Sequence, residues 1–539
     1  MKKYFYILAI VASIVSCTDL DLIPLGQIAD SNFPKTDDDA IAVTTAIYQP
    51  NVGISTALGY AIDLTSELQT NGENPNSAGA LLGKMEWEPT NGYVSSVWNA
   101  LYNTITRAND VIDKIGASEI VTPALKTRLL GEAKFLRAYA YFYLVQLWGE
   151  VPLVLHNLDG DKIPRTPVNE VYEQIVSDLK DAAESLPVYT EYADSDKGRA
   201  SKGAALAYLS KVYLVWGQID DSADAATRKT RFSESVKYAD LVTGYSLEEN
   251  FLANWDKNNR NGKEAIFSVQ HIQGQASATS GGNHLVHCSF YGGLSNSLSP
   301  HVYSTNYYEL DAQGKVIVST IVNKWFNDFD DRDQRKRGTY LKEYRINADS
   351  VFVYNFVRYR KYVDTTNLST TATTIDINRT VIRYAEVLLL KAEAINERDG
   401  TPNAEAYEAI NQVRRRAFRQ PLNSASEIAD LPAGLDYNGF KAKIQQERVF
   451  ELTYEQNRWT DLVRWRKYVQ TLKEAVSKKY IAEDKEVGKH NVKSHYYRFP
   501  IPKAERDIDP DRFWQNYGYD GSTITENPYK NYEPGWTDQ

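Results

Sequence analysis

The stretch EAKFLRAYAYFYLVQLWG within residues 123–149 constrains the fold more than any other part of the chain. Across 123–149 the apolar residues Leu129, Ala133, Leu136, Ala140, Tyr143 and Leu147 step by four and three, the spacing that holds one face of an α-helix. Phe135, Tyr139 and Phe142 make the other face apolar too. A helix apolar nearly all round cannot lie on a surface, so this one predicts neighbours on both sides. Residues 94–115 and 167–186 read as amphipathic helices flanking it, the second opened by Thr166 and Pro167 at cap and first-turn positions.

The pattern returns along the chain. Residues 201–217 and 231–244 form a second pair with small residues where helices approach closely, and Gly217 and Gly244 are expected to stop them. Residues 381–400 and 403–418 repeat the layout: a helix with alanines on one face, a glycine turn and a second helix starting near Asn403. Helix-turn-helix units of this size look like tetratricopeptide packing, so the chain is expected to be mainly α, one helical domain built on such pairs. A last long helix is expected over 440–468.

The amino terminus fixes location. Lys2 and Lys3 precede an apolar run at 4–15, too short for the roughly 20 residues of a spanning helix, and Ser16 and Cys17 follow. This reads as an export signal of the bacterial lipoprotein type: residues 1–16 are removed and Cys17 is acylated, anchoring the chain to a membrane. Residues 17–40 form a polar tether and 41–539 the folded domain. The one other cysteine, Cys288, then has no disulfide partner. A net charge of −9 argues against a nucleic-acid surface, which needs clustered Lys and Arg. The 37 tyrosines and 10 tryptophans suit stacking surfaces as well as a core.

Two segments lack helical period: about 68–93, with NGENPNSAGALLGKMEWEPTNGY, and about 250–377, rich in β-branched runs and Gly/Ser/Asn turns. Insertions of this length on a helical frame usually carry function.

The motifs EAKFLRAYAYFYLVQLWGEVPLV at 132–154, ASKGAALAYLSKVYLVWG at 200–217, IRYAEVLLLKAEAINERDG at 382–400, INQVRRRA at 410–417, IQQERVFELTYEQNRWTDLVRW at 444–465 and FPIP at 499–502 resemble the SusD/RagB family of Bacteroidetes outer-membrane lipoproteins. The resemblance runs through nearly the whole mature chain in the family's order. It implies a single α-helical domain with the irregular segments packed on one face as a binding surface. It also implies a partner, a SusC-like TonB-dependent outer-membrane barrel that receives the captured nutrient. Tyr517 stands where members often have proline near the C-terminal end, a departure confined to the closing wrap.

Candidate chemistry divides into pairing and recognition. Glu447, Glu451 and Glu455 follow at i, i+4 and i+8, a row that in principle suits glycoside hydrolysis. Arg448, Arg458 and Arg464 stand within a turn of Glu451, Glu455 and Asp461, so an ion-pair network is the expected role, as for Glu132 and Arg137. Asp328, Asp330, Asp331 and Asp333 lack the glycine turn and distal glutamate of an EF-hand. His284, His287 and Cys288 lack a fourth ligand, so no metal and no cofactor is assigned. No nucleophile elbow, P-loop or dinucleotide fingerprint is present, and the chain reads as non-catalytic.

A pyranose ring presents a C–H face that stacks on Trp or Tyr and a hydroxyl edge for polar side chains. The ligand-binding candidates are therefore Trp87, Asn91 and Tyr93 in the first insertion and Asn283, Phe290, Tyr291, Tyr303, Tyr307 and Tyr308 in the second, each equally suited to packing. Trp98, Trp148, Trp216, Trp459 and Trp465 sit in the helical motifs and read as core, and Trp325 stays open between the two roles. The expected function is glycan capture at the cell surface and delivery to the barrel. The alternatives are the same role with peptide cargo and, from the glutamate row alone, a lipid-anchored hydrolase.

Overall fold

The computed structural model describes residues 33–70, 77–157, 163–271, 301–302, 305–310, 316–322, 324–347, 350–362, 377–477 and 489–536, with backbone alone at 54, 56, 70, 341–347, 350–358 and the described positions of 301–324. The chain opens with α1 (Asp37–Ala46) and α2 (Gln49–Gly59), which runs into a π turn at Tyr60–Leu64. Strand β1 (Gln69–Thr70) and α3 (Ala78–Gly83) follow, then α4 (Gly92–Ala117) and α5 (Pro123–Trp148). The short pair β2 (Val151–Pro152) and β3 (Arg165–Thr166) leads to α6 (Val168–Ser185), α7 (Lys202–Ile219) and α8 (Ala225–Asp240). The second insertion supplies β4 (Ala265–Val269), β5 (His301–Val302), β6 (Thr305–Leu310), β7 (Val316–Val322), α9 (Lys324–Asp328), α10 (Gln334–Thr339), β8 (Tyr340–Asn347), β9 (Ser350–Tyr359) and β10 (Arg379–Arg383). Helices α11 (Tyr384–Asp399), α12 (Ala404–Ala417), α13 (Tyr437–Leu452), α14 (Arg458–Arg464), α15 (Tyr468–Ser477) and α16 (Lys503–Ile508) complete the body.

Consecutive helices pack side by side from α4 to α8. Helix α11 then lies against α7, α8, α12 and α13, so the late pair extends the early array across the insertion. The chain is mainly helical, as its periodicity requires. Helix α5 sits between α4 and α6, and from Phe135 to Trp148 every side chain is buried. At roughly 1.5–3 kcal/mol for each large apolar side chain taken from water, this one helix anchors the core.

Local expectations fail in instructive places. Gly217 does not stop α7, which runs on to Ile219. Its missing side chain instead admits Phe232 of α8, whose ring a Cβ would meet at 2.6 Å. Gly244, at φ +87°, lies past the end of α8. Pro167 is the cap residue of α6, and Thr166 belongs to β3. Helix α12 starts beside Asn403 as expected, and Asn403 caps it, its side chain accepting from the Ala406 amide. The helical body starts inside the segment assigned to the tether: Thr36 and Asp39 form a capping box for α1. Residues 1–32, with Cys17, lie outside the described residues.

The expected helix over 440–468 is two helices. Helix α13 ends at Leu452 and α14 begins at Arg458, and the residues between include Tyr454 at φ +66° and Gln456 at φ +60°. Left-handed backbone at non-glycine residues is uncommon and persists where surrounding contacts hold it.

Two pairings tie the insertions to the frame. Strand β4 pairs antiparallel with β10, closing the base of the second insertion immediately before α11. Strand β1 pairs with β5, Gln69 opposite Val302 and Thr70 opposite His301, so the first insertion joins the second. The Tyr359 hydroxyl adds a bond to the Leu68 carbonyl at 2.7 Å. The C-terminal wrap returns to α5: the Trp148 indole donates to the Pro500 carbonyl at 2.8 Å and the Asn516 amide to the Trp148 carbonyl at 3.0 Å.

Candidate functional site

The first-insertion candidates hold the molecule together. Trp87 is fully buried; its indole N–H donates to the Tyr519 hydroxyl at 3.1 Å and its ring lies 4.1 Å from Tyr496. It pins the C-terminal wrap and offers no face to a ligand, which corrects its assignment as a stacking platform. Asn91 caps α4, accepting from the Tyr93 and Val94 amides while donating to the Ala78 carbonyl at 2.9 Å. With both ends of its amide engaged, it too is a structural residue. Tyr93 is half-buried and stacks on Tyr60 at 4.6 Å. Tyr307 and Tyr308 occupy adjacent positions of β6, opposite Thr320 and Val318 of β7. Asn283, Phe290, Tyr291 and Tyr303, together with His284, His287 and Cys288, lie outside the described residues.

The glutamate row is paired throughout, with partners that local spacing did not reveal. Glu451 accepts from Arg335 at 3.0 Å and also pairs with Arg383 and Arg416. Glu447 accepts from Arg335 at 2.6 Å and Arg414 at 2.9 Å. Glu455, beyond the end of α13, still meets Arg383 at 2.8 Å and Lys361 at 2.7 Å. Of the arginines nearby in sequence, Arg448 pairs with Asp461 and Glu386, Arg464 with Glu393 and Asp461, and Arg458 with Glu67. Burial would raise the Glu451 carboxyl, but Arg416, Arg383 and Arg335 outweigh it and hold it well below the usual carboxylate range. A carboxylate pinned in this way cannot serve as a general acid. Glu132 and Arg137 are likewise paired, though not with each other: Glu132 with Arg199 and Arg137 with Asp178.

The aspartate cluster is also spoken for. Asp330 pairs with Arg332, Asp331 with Lys336, and Asp333 both caps α10 and binds Arg335. Among the described residues no group of His, Cys, Asp and Glu is placed to hold a metal ion.

Trp98, Trp148, Trp216, Trp459 and Trp465 are buried, in line with their reading as core. Trp325, left open by the sequence, is half-buried on α9 and edges a cavity of about 320 Å³ against α13, α14 and α15. Trp465 and Leu462 add apolar wall, and Glu67, Arg458, Gln445 and Gln446 add polar groups. The Arg458 guanidinium lies 5.4 Å from the Trp325 ring centroid, a cation–π contact that fixes the indole plane. Glu67 Oε2 and Gln445 Nε2 are buried with no hydrogen-bond partner among the described residues. Leaving such atoms unmatched costs about 1–3 kcal/mol each. Glu67 stands at the foot of the first insertion and Trp325 within the second, so the cavity forms where both meet the helical frame. Sequence spacing singled out neither Glu67 nor Gln445, because Glu67 and Arg458 are 391 residues apart. A second cavity of about 320 Å³, between α1, α2 and the 195–199 loop, includes Tyr48, Asn51, Arg199 and Gln270 and draws on neither 68–93 nor the α9–β9 part of the second insertion.

Comparison with known proteins places this architecture. Residues 263–519 match the family model described as the SusD family, and residues 39–214 match one described as starch-binding associating with outer membrane. The SusD-like protein P2 of Formosa agariphila is 29% identical over 497 residues, covering 86% of this chain and 91% of that protein. The starch-binding protein SusD of Bacteroides thetaiotaomicron is 23% identical over 493 residues, covering 81% of each. The crystal structure of a SusD homolog from Bacteroides thetaiotaomicron superposes with a TM-score of 0.73 at 25% identity, covering 90% of this chain and 98% of that one. With the two matches following one another along most of its length and relatives of the same family alongside, the chain belongs to the SusD/RagB family.

Proposed function

We propose that the chain is a lipid-anchored glycan-binding protein of the cell surface, which captures an oligo- or polysaccharide beside Trp325 and delivers it to a SusC-like TonB-dependent barrel. The observation that carries this reading is the cavity itself: an indole facing a guanidinium, with the polar side chains of Gln446, Lys443 and Arg458 lining the same space. A sugar needs both at once, a flat apolar face for its C–H side and polar atoms for its hydroxyls. The lipoprotein-type leader at 1–17, the family's description as associating with the outer membrane and the starch-binding name of one relative support the reading. The fully paired glutamate row supports a role without catalysis.

The test is affinity electrophoresis of the full chain in non-ionic detergent through gels cast with plant, host and microbial polysaccharides. At least one polysaccharide is expected to retard migration, with no release of reducing sugar. Retardation by none of them, with soluble oligosaccharides also silent in titration, would sink the glycan reading. Cleavage of a retained polysaccharide would sink the non-catalytic one.

A further inference from the structure

The charges around the Trp325 cavity say more about its ligand. The chain carries a net charge of −9, yet three cations, Arg458, Lys443 and Lys467, face this cavity against two acids, Glu67 and Glu474. Of the two acids, Glu67 is spent on an arginine. Glu67 Oε1 accepts from both Nε and Nη2 of Arg458, at 2.9 and 2.5 Å, so one carboxylate neutralises one guanidinium from one side. Glu474 accepts from the Gln470 amide at 2.7 Å on its own helix.

The cations are less well matched. Lys443 makes no hydrogen bond or ion pair among the described residues. Lys467 Nζ has a neutral partner, donating to Gln445 Oε1 at 2.9 Å. Desolvation first, then the like charges of Lys441 and Arg458, hold the Lys467 ammonium below its usual range, against the opposing pull of Glu474 and Glu533. Nη1 of Arg458 makes no hydrogen bond among the described residues, although the guanidinium is almost wholly buried. The buried Arg335, Arg383 and Arg416 are matched with carboxylates, whereas Arg379 and Arg165 are held by neutral oxygens. Lys443, which has no partner among the described residues, and the Nη1 edge of Arg458 stand beside the indole, and an anionic ligand would complete both.

We propose that the cavity binds a saccharide carrying an anionic group, a carboxylate or a sulfate ester, with the sugar face on Trp325 and the anion held by Lys443 and Arg458. The inference rests on the glycan-binding reading above and narrows it to acidic glycans.

Matched pairs of ligands test it by equilibrium titration of the full chain in detergent: polygalacturonate against its methyl-esterified form, and dextran sulfate against dextran. The anionic member of one pair is expected to bind about tenfold or more tightly than its neutral twin, with affinity falling as salt rises. Which pair responds tells carboxylate from sulfate. Lys443→Glu should weaken that binding about tenfold. Because Lys443 has no partner to lose, the variant should fold, and an unchanged thermal midpoint verifies this. Equal or tighter binding of the neutral twins overturns the inference and leaves the glycan reading standing. Anion preference that survives Lys443→Glu overturns the site assignment. No binding of any saccharide removes the glycan reading, and this inference with it.

Discussion

Glu451→Gln is expected to destabilise the protein by about 3–5 kcal/mol, because it leaves buried guanidinium groups facing a neutral amide. Arg335, Arg383 and Arg416 all meet this one carboxylate, and all four side chains are fully buried. Glu264 and Glu455 remain for Arg383, and Glu264 for Arg416, but the shared acid that joins α13 to α10, β10 and α12 is gone. The urea midpoint should fall accordingly. The pH dependence has a definite sign. The Glu451 carboxyl is depressed in the folded state, so its contribution is complete above the ~4.5 of an unfolded glutamate and is lost as pH falls below it. Parent and variant should therefore differ most at neutral pH and converge in acid. Glu393 behaves alike: burial raises it, Arg464, Arg448 and the Gln218 hydrogen bond together outweigh burial, and it is held at about 2. An unchanged urea midpoint in Glu451→Gln would mean that the network is not a stabilising element.

Asp63→Asn should do the opposite and stabilise the protein at alkaline pH. Asp63 lies in the π turn at Tyr60–Leu64, is 2% exposed, and neither carboxyl oxygen has a hydrogen-bond partner among the described residues. Burial pushes its carboxyl up to about 8, with Lys361 opposing and Glu455 adding to the rise. A carboxyl raised on folding contributes stability that is present below its unfolded value near 3.8 and lost as pH climbs through about 8. A shift of that size corresponds to on the order of 5 kcal/mol between the two ends of the window. The amide cannot ionise, so the variant should match the parent near pH 4 and melt at a distinctly higher temperature at pH 8. Thermal unfolding of both proteins across that range decides it. A variant that is less stable at pH 8 would show that Asp63 is ionised and paired with Lys361 instead.

The helical frame was legible because it depends on period. The steps of four and three in α5 require neighbours on both sides, and α4 and α6 supply them. The alanine-faced helices at 201–217 and 381–400 likewise meet in space, α7 against α11. What escaped was whatever depends on contact between distant segments. Glu455 was placed on a continuous helix because nothing between 440 and 468 signals the break; Tyr454 and Gln456 take left-handed backbone without being glycine. Trp87 stood open between ligand contact and packing because it lies in a loop-rich stretch, whereas the partner that decides it, Tyr519, comes 432 residues later. Arg458 was matched to the nearest acids in sequence, yet its carboxylate is Glu67. Trp325 stayed open for the same reason: only the folded chain brings α9 against α13, α14 and α15 and turns an isolated indole into a cavity wall.

The central claim is that this indole is where the ligand stacks. It is tested most directly by titrating the full chain and its Trp325→Ala variant with the polysaccharide that the affinity gels identify. The account predicts a loss of about tenfold or more in affinity, the scale of one lost aromatic contact and its buried area, with the thermal midpoint little changed. Equal affinity in the two proteins would contradict it and move the site away from the cavity.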